Sequence, residues 1–275
     1  MKIEWYSQSL GVVSITDLIE MSRLTVKDNN NKCSIGSWIT LGHPAIAEIM
    51  VKAGYEWLAV DLEHSAISIR DAEDLIRIID LAGVIPLVRL TSNNHDQIKR
   101  VMDAGAGGVI VPMVNSPEQA QQAIEAVKYP PNGKRGIGLA RAQGYGAKFQ
   151  KYLEWQKENT IVIVQIEHID AVNNIDAIFS VDGVDGFIIG PYDLSGSLGI
   201  PGQFDHPDYI AAVDKINVEA KKMNVMSGIH IIEPNPELLK QRIKEGYRFI
   251  AYSLDTRMLD VSCRTGIECI KQLRQ

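Results

Sequence analysis

The sequence predicts an α/β fold, a (β/α)8 TIM barrel with a short N-terminal helical extension. From residue 34 onward, short β-rich runs alternate with longer segments of helical periodicity, and eight such runs occur. This alternation implies crossover connections and a parallel sheet. Eight strand and helix units in about 240 residues match the usual size of a closed barrel. We therefore divide the chain into an N-terminal extension, residues 1–33, and a barrel domain, residues 34–275.

The predicted strands are, in chain order, "IGSWIT", "EWLAVDL", "VIPLVRL", "GVIVPMV", "IVIVQIE", "DGFIIG", "MSGIHII" and "RFIAYSL". Between the first five lie the predicted helices "PAIAEIMVKAGY", "IRDAEDLIRIIDLAG", "NHDQIKRVMDAGAG" and "SPEQAQQAIEAVKY". Several have Ser, Asn or Pro near the start and Gly at the end, as helices commonly do. A doubly wound open sheet is the alternative, but no GxGxxG follows the first strand.

Composition excludes several classes of protein. The 275 residues are 45% hydrophobic and 23% charged, which suits one large globular domain or two small ones. The net charge of -6 and the absence of a dense basic run argue against a nucleic-acid partner. No apolar stretch approaches the roughly 20 residues of a membrane span, and the first residues lack signal-peptide features, so we expect a cytoplasmic protein. Cys33, Cys263 and Cys269 are spaced as free thiols rather than as a disulfide framework or zinc site.

Two long segments interrupt the alternation. Residues 129–159 are too long for an ordinary connection and are rich in Gly, Pro, Lys and Arg, which predicts a lid or substrate wall. Residues 190–209 follow a predicted strand and contain four glycines and three prolines.

Polar residues stand where the predicted strands end, which is where barrels of this kind place their chemistry. They are Asp61, Glu63 and His64 after strand two, Arg89 after strand three, Gln165 and Glu167 after strand five, and Asp193 after strand six.

Strand alternation selects among the residues of strand five. Gln165 and Glu167 share a face with Ile163, and a carboxylate facing the barrel interior needs a cation or a proton, because it loses its water there. Glu167 and Asp193, with an amide beside them, describe a Mg²⁺ or Mn²⁺ site completed by substrate and water. Two alternatives stay open. Glu167 could pair with Arg89, and Asp193 could be a helix N-cap or an Asx-turn residue.

Other polar residues are interpreted from position alone. Arg89 should point into the barrel mouth, where a guanidinium suits a carboxylate or enolate oxygen, and structural pairing is the alternative. His64 lies one position past Glu63, where alternation no longer predicts direction, so structural and catalytic roles both stay open. His168 falls on the helix-facing side and is interpreted as structural. Asp103 lies near the end of a helix before strand four, which by position is a surface acid.

The sequence resembles the HpcH/HpaI aldolase family, the metal-dependent class II pyruvate aldolases that include 2-keto-3-deoxy sugar acid and 4-hydroxy-2-oxo acid aldolases. The resemblance rests on "GSWITLGHP", "AGYEWLAVDLEHS", "PLVRL", "VMDAGAGGVIVPMV", "YPPNGKRGIG", "QIEHIDAVNNID" and "GFIIGPYDLSGSLGIPGQFDHP". These stretches occur in order over roughly residues 34 to 260, and the Asp-x-Glu-His, Gln-x-Glu and Gly-Pro-x-Asp-Leu-Ser elements lie on the expected strands.

The resemblance implies a role for each matching residue. In the family, the Glu of Gln-x-Glu and the Asp of Gly-Pro-x-Asp bind a divalent metal ion, Mg²⁺, Mn²⁺ or Co²⁺, which points to Glu167 and Asp193. Gln165 matches the residue beside the pyruvoyl group, and the backbone around Tyr192 and Asp193 matches the part that receives its carboxylate. Arg89 matches the arginine that holds the pyruvate or enolate oxygen.

The resemblance also implies proton transfer and assembly. His64 matches the histidine of the proton-transfer dyad, and Asp103 matches its acidic partner, which in relatives comes from a neighbouring subunit. This replaces the surface interpretation of Asp103. Asp61 matches an acid near the metal-bound water. Family members tend to be hexamers with an exchanged C-terminal helix, so "DTRMLDVSCRTGIECIKQL" is expected to pack on another chain of a homohexamer.

The implied activity is carbon–carbon lysis. A 4-hydroxy-2-oxo acid, such as a 2-keto-3-deoxy sugar acid or a hydroxy-oxo diacid, is cleaved reversibly to pyruvate and an aldehyde, with His64 as the base for the 4-hydroxyl proton. A Schiff-base aldolase would need a Lys on the inner end of a strand, and the predicted strands carry none. The alternatives are a CoA-ester lyase, a phosphoenolpyruvate-mutase-like barrel, or a non-catalytic binding or assembly barrel.

Overall fold

The computed structural model describes residues 32–273, which form a closed barrel of eight parallel strands that neighbour one another in chain order. The predicted barrel and all eight predicted strands are confirmed. The strands are β1 Ser34–Ile39, β2 Trp57–Asp61, β3 Ile85–Arg89, β4 Gly108–Val111, β5 Ile161–Ile166, β6 Gly186–Ile189, β7 Met226–Ile231 and β8 Phe249–Leu254. The predicted N-terminal extension lies outside the described residues except for its last two.

Helices connect the strands on the outside of the barrel. Within the described residues they are α1 Pro44–Ala53, α2 Ile69–Leu81, α3 His95–Asp103, α4 Pro117–Val127, α5 Phe149–Asn159, α6 Ile169–Asn173, α7 Ile175–Phe179, α8 Pro191–Ser197, α9 Pro207–Met223, α10 Pro236–Glu245 and α11 Asp255–Leu273. The start and stop signals act as expected. Ser68 and Asp71 form a capping box at α2, and Gly54 ends α1 in a left-handed conformation. Along residues 32–273, no helix is both long and apolar enough to cross a membrane.

Strand alternation separates two apolar layers. Inward side chains such as Trp57, Leu87 and Ile163 pack inside the barrel, while Val162 and Val164 pack between the strands and the helices. The predicted inward face of β5 is therefore confirmed, and every inward side chain beyond Ile163 must face the mouth.

The barrel interior contains a close approach that only glycine allows. The Trp57 indole stacks on the Phe249 ring with centroids 4.1 Å apart. A Cβ atom on Gly36 would lie 1.9 Å from the Trp57 ring. Gly36 thus makes room in β1 for the aromatic layer below the mouth.

The long segment at residues 129–159 lies at the N-terminal end of the strands, opposite the mouth. It joins the end of α4 to the start of β5, and Arg141 anchors it there. The Arg141 guanidinium donates to the Asp80 carboxylate (Nη2 to Oδ2, 2.7 Å) and to the Ala104 carbonyl (3.1 Å). Since no residue of this segment lines the mouth, the expectation of a lid or substrate wall is not met within a single chain.

The Asp255 carboxylate ties the start of α11 to the loop after β1. Oδ2 accepts from the backbone N–H groups of Thr40 (2.9 Å) and Leu41 (2.8 Å), and Oδ1 accepts from the Thr40 hydroxyl (2.6 Å). Asp255→Ala is expected to lower the free energy of unfolding by about 2 kcal/mol, because three partly buried donors lose a charged acceptor. Urea denaturation at a fixed protein concentration measures the difference.

A matched control is Asp96→Ala, which removes an 80% exposed carboxylate that pairs with Lys99 at 3.3 Å. An exposed pair of this kind contributes about 1 kcal/mol or less. Equal denaturation midpoints for the two variants would contradict the role given to Asp255.

Candidate active site

The mouth of the barrel, at the C-terminal ends of the strands, encloses about 300 Å³. The last inward-facing residue of each odd-numbered strand lines it: Trp38 from β1, Arg89 from β3, Gln165 from β5 and His230 from β7. Layers of four side chains from alternate strands are the usual filling of such a barrel. Three of the four side chains in the layer nearest the mouth are polar. This layer is therefore a candidate site and not part of the apolar core.

Asp61 and Arg89 form the central ion pair of the mouth. Arg89 donates from Nε to Oδ1 (2.9 Å) and from Nη2 to Oδ2 (2.6 Å) of Asp61. The Asp61 side chain is fully buried, and its Oδ1 also accepts the backbone N–H groups of Glu63 (3.0 Å) and His64 (3.2 Å). Asp61 therefore orients both the guanidinium and the turn that carries His64.

Arg89 points into the mouth, as predicted. Its Cζ atom lies 4.4 Å from the centroid of the Trp38 ring, so the guanidinium is held on an aromatic face as well as by Asp61. The alternative that Arg89 pairs with Glu167 is wrong. Its carboxylate partners are Asp61 and, at 3.4 Å from Nε, Glu63.

Glu167 is buried at the end of β5 and is held by two donors. The Met113 N–H donates to Oε1 (2.7 Å), and the Gln165 amide donates to Oε2. Burial raises the pKa of Glu167 to about 7, and the charges of Glu63 and Asp193 also raise it. The two hydrogen bonds act in the opposite direction and lower this pKa. A carboxylate in this position is electrostatically poised to receive a cation.

Asp193 lies in the first turn of α8, beside Glu167. The N-cap of this helix is Gly190 rather than Asp193, so the N-cap alternative is wrong. A Cβ atom on Gly190 would lie 2.6 Å from Oε2 of Glu167, so glycine is needed where the two elements meet. Tyr192 and Asp193 both line the mouth and are exposed to it.

These residues fit a hard divalent cation. Glu167 and Asp193 supply two carboxylates, and the Gln165 Oε1 atom is buried without a hydrogen-bond partner in the described structure. Mg²⁺ and Mn²⁺ are commonly bound by one or two carboxylates, with water and substrate completing the shell. Residues 32–273 contain no group of three or more His, Cys, Asp or Glu side chains at metal-ligand spacing. Two carboxylates and an amide oxygen suit a partly open oxygen site, in which water and substrate occupy the other positions.

Glu63, for which the sequence predicted no role, lies inside the site. Its Oε2 atom is buried without a hydrogen-bond partner in the described structure, 3.4 Å from the Arg89 Nε atom. Burial raises the pKa of Glu63 to about 7, opposed by the charge of Arg89 and assisted by Asp61 and Asp193. The signal was present in the spacing, because Asp61-x-Glu63 on β2 repeats the Gln165-x-Glu167 pattern of β5.

The predicted dyad residues His64 and Asp103 do not meet within one chain. The His64 side chain is 64% exposed at the mouth, with Nε2 3.7 Å from Oε2 of Glu63. Asp103 ends α3, which leads into the N-terminal end of β4, so it lies at the opposite end of the barrel. Burial raises the pKa of Asp103, opposed by Arg135 and Lys99. A dyad of His64 and Asp103 therefore requires a second chain.

His168 has the structural role predicted for it. Its Nδ1 atom accepts the Asp170 N–H (3.1 Å) and caps the N-terminus of α6. His230, by contrast, lines the mouth and was not singled out in the sequence. Alternation along β7 places it on the inward face, as the last inward residue of that strand, which is the signal that could have found it.

The model of the HpcH/HpaI aldolase/citrate lyase family matches residues 34–260 of this sequence. The chain belongs to this family. The resemblance inferred from the motifs is thereby confirmed, and the matched residues agree with the extent that the motifs indicated.

Relatives in the HpcH/HpaI family share about a third of their residues with this chain. A hydroxypyruvate/pyruvate aldolase of Sagittula stellata is 39% identical over 226 residues, which cover 82% of this chain and 88% of the relative. A 4-hydroxy-2-oxo-heptane-1,7-dioate aldolase of Salmonella typhimurium is 34% identical over 241 residues, 85% of this chain and 90% of the relative. The crystal structure of a family member from Burkholderia cenocepacia matches with a TM-score of 0.84 at 30% identity, covering 92% of this chain and 99% of that one.

Proposed function

We propose that this chain is a class II, metal-dependent aldolase that cleaves a 4-hydroxy-2-oxo acid reversibly to pyruvate and an aldehyde. The observation that carries the proposal is the buried Glu167, with its raised pKa, beside Asp193 and across the mouth from a pre-oriented Arg89. Relatives named for hydroxypyruvate/pyruvate and for 4-hydroxy-2-oxo-heptane-1,7-dioate support a 2-oxo acid as the substrate class.

Glu167 and Asp193 are the residues that would hold the divalent cation, Mg²⁺, Mn²⁺ or Co²⁺. A bound cation supplies Lewis-acid polarisation of the substrate carbonyl. Gln165 fixes the orientation of Glu167 through its amide hydrogen bond. The backbone around Tyr192 and Asp193, two exposed residues at the rim, is the part proposed to receive the substrate carboxylate.

Arg89 stabilises the negative charge that develops on the enolate oxygen. Its Nε and Nη2 groups are committed to Asp61, and Nη1 carries no hydrogen bond to any of residues 32–273. Donors that are already oriented stabilise a developing oxyanion without reorganisation at the moment of reaction. Asp61 thus contributes to the reaction by positioning Arg89, and its predicted place beside a water of the cation stays a prediction.

His64 is the proposed base that removes the proton from the 4-hydroxyl group, which lets the carbon–carbon bond break. Its side chain is exposed at the mouth and is free to contact substrate. Its proposed dyad partner, Asp103, would come from a neighbouring subunit.

The same proposal includes a homo-oligomer. Its specific form is a hexamer in which the C-terminal helix of one chain packs on another chain. Helix α11 exposes apolar side chains along its length, Leu259, Ile267 and Ile270. Such a face is stabilised when another surface covers it. We further propose a cytoplasmic protein whose catalytic unit is residues 34–275.

The test of this function is metal-dependent pyruvate release. Cleavage across a panel of 4-hydroxy-2-oxo acids is expected to vanish with EDTA and to return with Mg²⁺, Mn²⁺ or Co²⁺. Melting curves with and without EDTA serve as the control that the fold survives chelation. Borohydride treatment with pyruvate should leave the protein unmodified.

Other outcomes assign other functions. Cleavage that survives EDTA, together with a trapped lysine adduct, would indicate a Schiff-base aldolase. Turnover of a CoA ester or of phosphoenolpyruvate, and not of the 2-oxo acids, would indicate one of the related barrel enzymes. No turnover of any substrate with metal supplied would indicate a binding or assembly barrel.

A further inference from the structure

One side of the mouth has no part in binding the 2-oxo acid end of the substrate. The proposed site for that end lies on β5 and after β6, where Gln165, Tyr192 and Asp193 line the cavity. A second group of lining residues belongs to β1, β7, β8 and the loops after them: Trp38, Thr40, His230, Ile232 and Leu254. Because the strands close in chain order, β1 lies across the barrel from β5. Thr40, directly after β1, therefore lies opposite the proposed cation site.

The aldehyde portion of the substrate extends toward Thr40. The mouth encloses about 300 Å³, and the 2-oxo acid end takes the side that carries Glu167 and Asp193. His64, the proposed base for the 4-hydroxyl group, follows β2, which pairs with β1. A substrate that passes from the cation site to His64 continues, beyond carbon 4, toward the end of β1. The side chains there meet the part of the substrate that is released as an aldehyde.

The Thr40 hydroxyl group gives its only proton to Asp255. Its Oγ1 atom lies 2.6 Å from Oδ1 of the buried Asp255 carboxylate. The same carboxylate accepts the backbone N–H groups of Thr40 (2.9 Å), Leu41 (2.8 Å) and Thr256 (2.8 Å). An N–H group can only donate, and three such bonds favour the ionised carboxylate, which can only accept. The hydroxyl is therefore the donor to Asp255 and has no proton for a substrate.

The Thr40 oxygen keeps the capacity to accept. A hydroxyl oxygen has two lone pairs. The Thr256 hydroxyl lies 3.2 Å away, and it is the donor in this contact because the Thr40 proton is already placed. Within the described residues, the other lone pair has no donor. Thr40 is only partly buried, and its contact with Thr256 is exposed, so a ligand in the mouth can approach this oxygen.

An oxygen that can only accept selects among the groups on an aldehyde. A methyl or methylene group leaves it without a partner. A carboxylate has no proton to give, and it would face the negative charge of Asp255 directly behind the Thr40 hydroxyl. A hydroxyl group donates. The 2-keto-3-deoxy sugar acids carry hydroxyl groups on the carbons beyond carbon 4, whereas the hydroxy-oxo diacids end in a carboxylate there.

We propose that Thr40 is a specificity-determining residue, whose hydroxyl oxygen accepts a hydrogen bond from a hydroxyl group on the aldehyde portion of the substrate. The inference rests on the proposed aldolase function and names a substrate class within it. The preferred substrates are 2-keto-3-deoxy sugar acids, which are cleaved to pyruvate and a hydroxylated aldehyde, rather than hydroxy-oxo diacids.

The test is Thr40→Val, assayed in the condensation direction with pyruvate and Mg²⁺ supplied. Valine keeps the branched shape of threonine and removes the hydroxyl, while Asp255 keeps its three backbone donors. The measurement is the ratio of kcat/KM for glyceraldehyde over propanal, two aldehydes of three carbons that differ in their hydroxyl groups. A ratio is used because the cation loading and the amount of active protein cancel in it.

The wild-type protein is expected to prefer glyceraldehyde, and the ratio should fall about tenfold in Thr40→Val, which is the effect of losing one hydrogen bond. Thr40→Ser, which keeps the hydroxyl, should retain most of the preference. The matched control is Thr91→Val. Thr91 is exposed after β3, outside the lining of the mouth, and its hydroxyl donates to the Gln97 side chain at 3.1 Å. This variant should leave the ratio unchanged.

An unchanged ratio in a folded Thr40→Val protein would overturn the inference. If the valine variant does not fold, Thr40→Ala takes its place in the same comparison. The wild-type protein gives an independent result, since a higher kcat/KM for propanal or for succinic semialdehyde than for glyceraldehyde would also overturn it. No condensation with any aldehyde would refute the aldolase function itself, and the role given to Thr40 would fall with it.

Discussion

Glu167→Gln is expected to lower kcat for pyruvate release by about a thousandfold, because one of the two carboxylates that we propose as cation ligands loses its charge. Glutamine keeps the shape of the side chain and an oxygen that can accept the Met113 N–H, which now lies 2.7 Å from Oε1. Gly190 packs closely against the Glu167 carboxylate, since a Cβ atom added to Gly190 would lie 2.6 Å from Oε2, so a substitution that keeps the side-chain shape is the appropriate one. The loss should therefore be chemical rather than structural.

The direct measurement for Glu167→Gln is Mn²⁺ affinity, which should weaken by at least about 100-fold, together with kcat at saturating metal. The matched control is Glu154→Gln on α5, whose carboxylate is 70% exposed and pairs with Lys157 at 2.9 Å. That variant should keep wild-type affinity and kcat. Unaltered Mn²⁺ affinity in Glu167→Gln would remove this residue from the cation site.

Arg89→Lys is expected to lower kcat by about 100- to 1000-fold, although the positive charge is kept. The planar guanidinium uses two donors to bind Asp61, and its third group, Nη1, is the one that we propose for the substrate. A lysine ammonium cannot reproduce that fork. Loss of one oriented donor to a developing oxyanion has an effect of this size. Steady-state kinetics measures the loss, and a melting curve shows whether the variant remains folded.

Arg77→Lys on α2 is the matched control for Arg89→Lys. Arg77 also bridges two carboxylates, Asp74 at 2.8 Å and Glu73 at 3.0 Å, but on the outer surface of the barrel. Arg77→Lys should therefore leave kcat unchanged. A wild-type kcat in Arg89→Lys would contradict the oxyanion role. Asp61→Asn should lower kcat as Arg89→Lys does, because Asp61 acts by positioning the guanidinium.

The barrel itself could be predicted from local pattern. Alternating residues such as Ile163 and Gln165 must point to the same side of a strand whatever surrounds them, and a period of two is a property of the extended backbone. Strand alternation also predicted that Arg89 faces the mouth. These predictions depend only on residues close together in the chain, so the sequence was sufficient for them.

Which side chains pair between neighbouring strands depends on strand register, and no local sequence pattern specifies that register. Asp61 on β2 stands opposite Arg89 on β3 because the two strands align with Ala59 beside Leu87. In this alignment Arg89 pairs with Asp61. Glu167 instead accepts hydrogen bonds from the Gln165 amide and the Met113 N–H. Four acidic residues stand at the predicted strand ends, Asp61, Glu63, Glu167 and Asp193, and the sequence offered no means of choosing among them as the partner of Arg89.

The placement of loops follows from connectivity and not from composition. Residues 129–159 have the composition of an active-site loop, yet they connect a helix to the start of β5 and therefore run at the far end of the barrel. Asp103 lies at that end as well, at the close of α3. Composition does not specify which end of a barrel a connection occupies, whereas its place between a helix and the following strand does.

By itself, the sequence determined the eight-stranded barrel, the family, and which strand ends carry acids, an amide and an arginine. The tertiary structure alone decided that Glu63 is buried beside Arg89, that Arg89 pairs with Asp61, and that the Met113 N–H binds Glu167. The physical reason is one of range. Direction along a strand is set by neighbours in the chain, but burial, pKa and hydrogen-bond partners are set by groups brought together when the barrel closes.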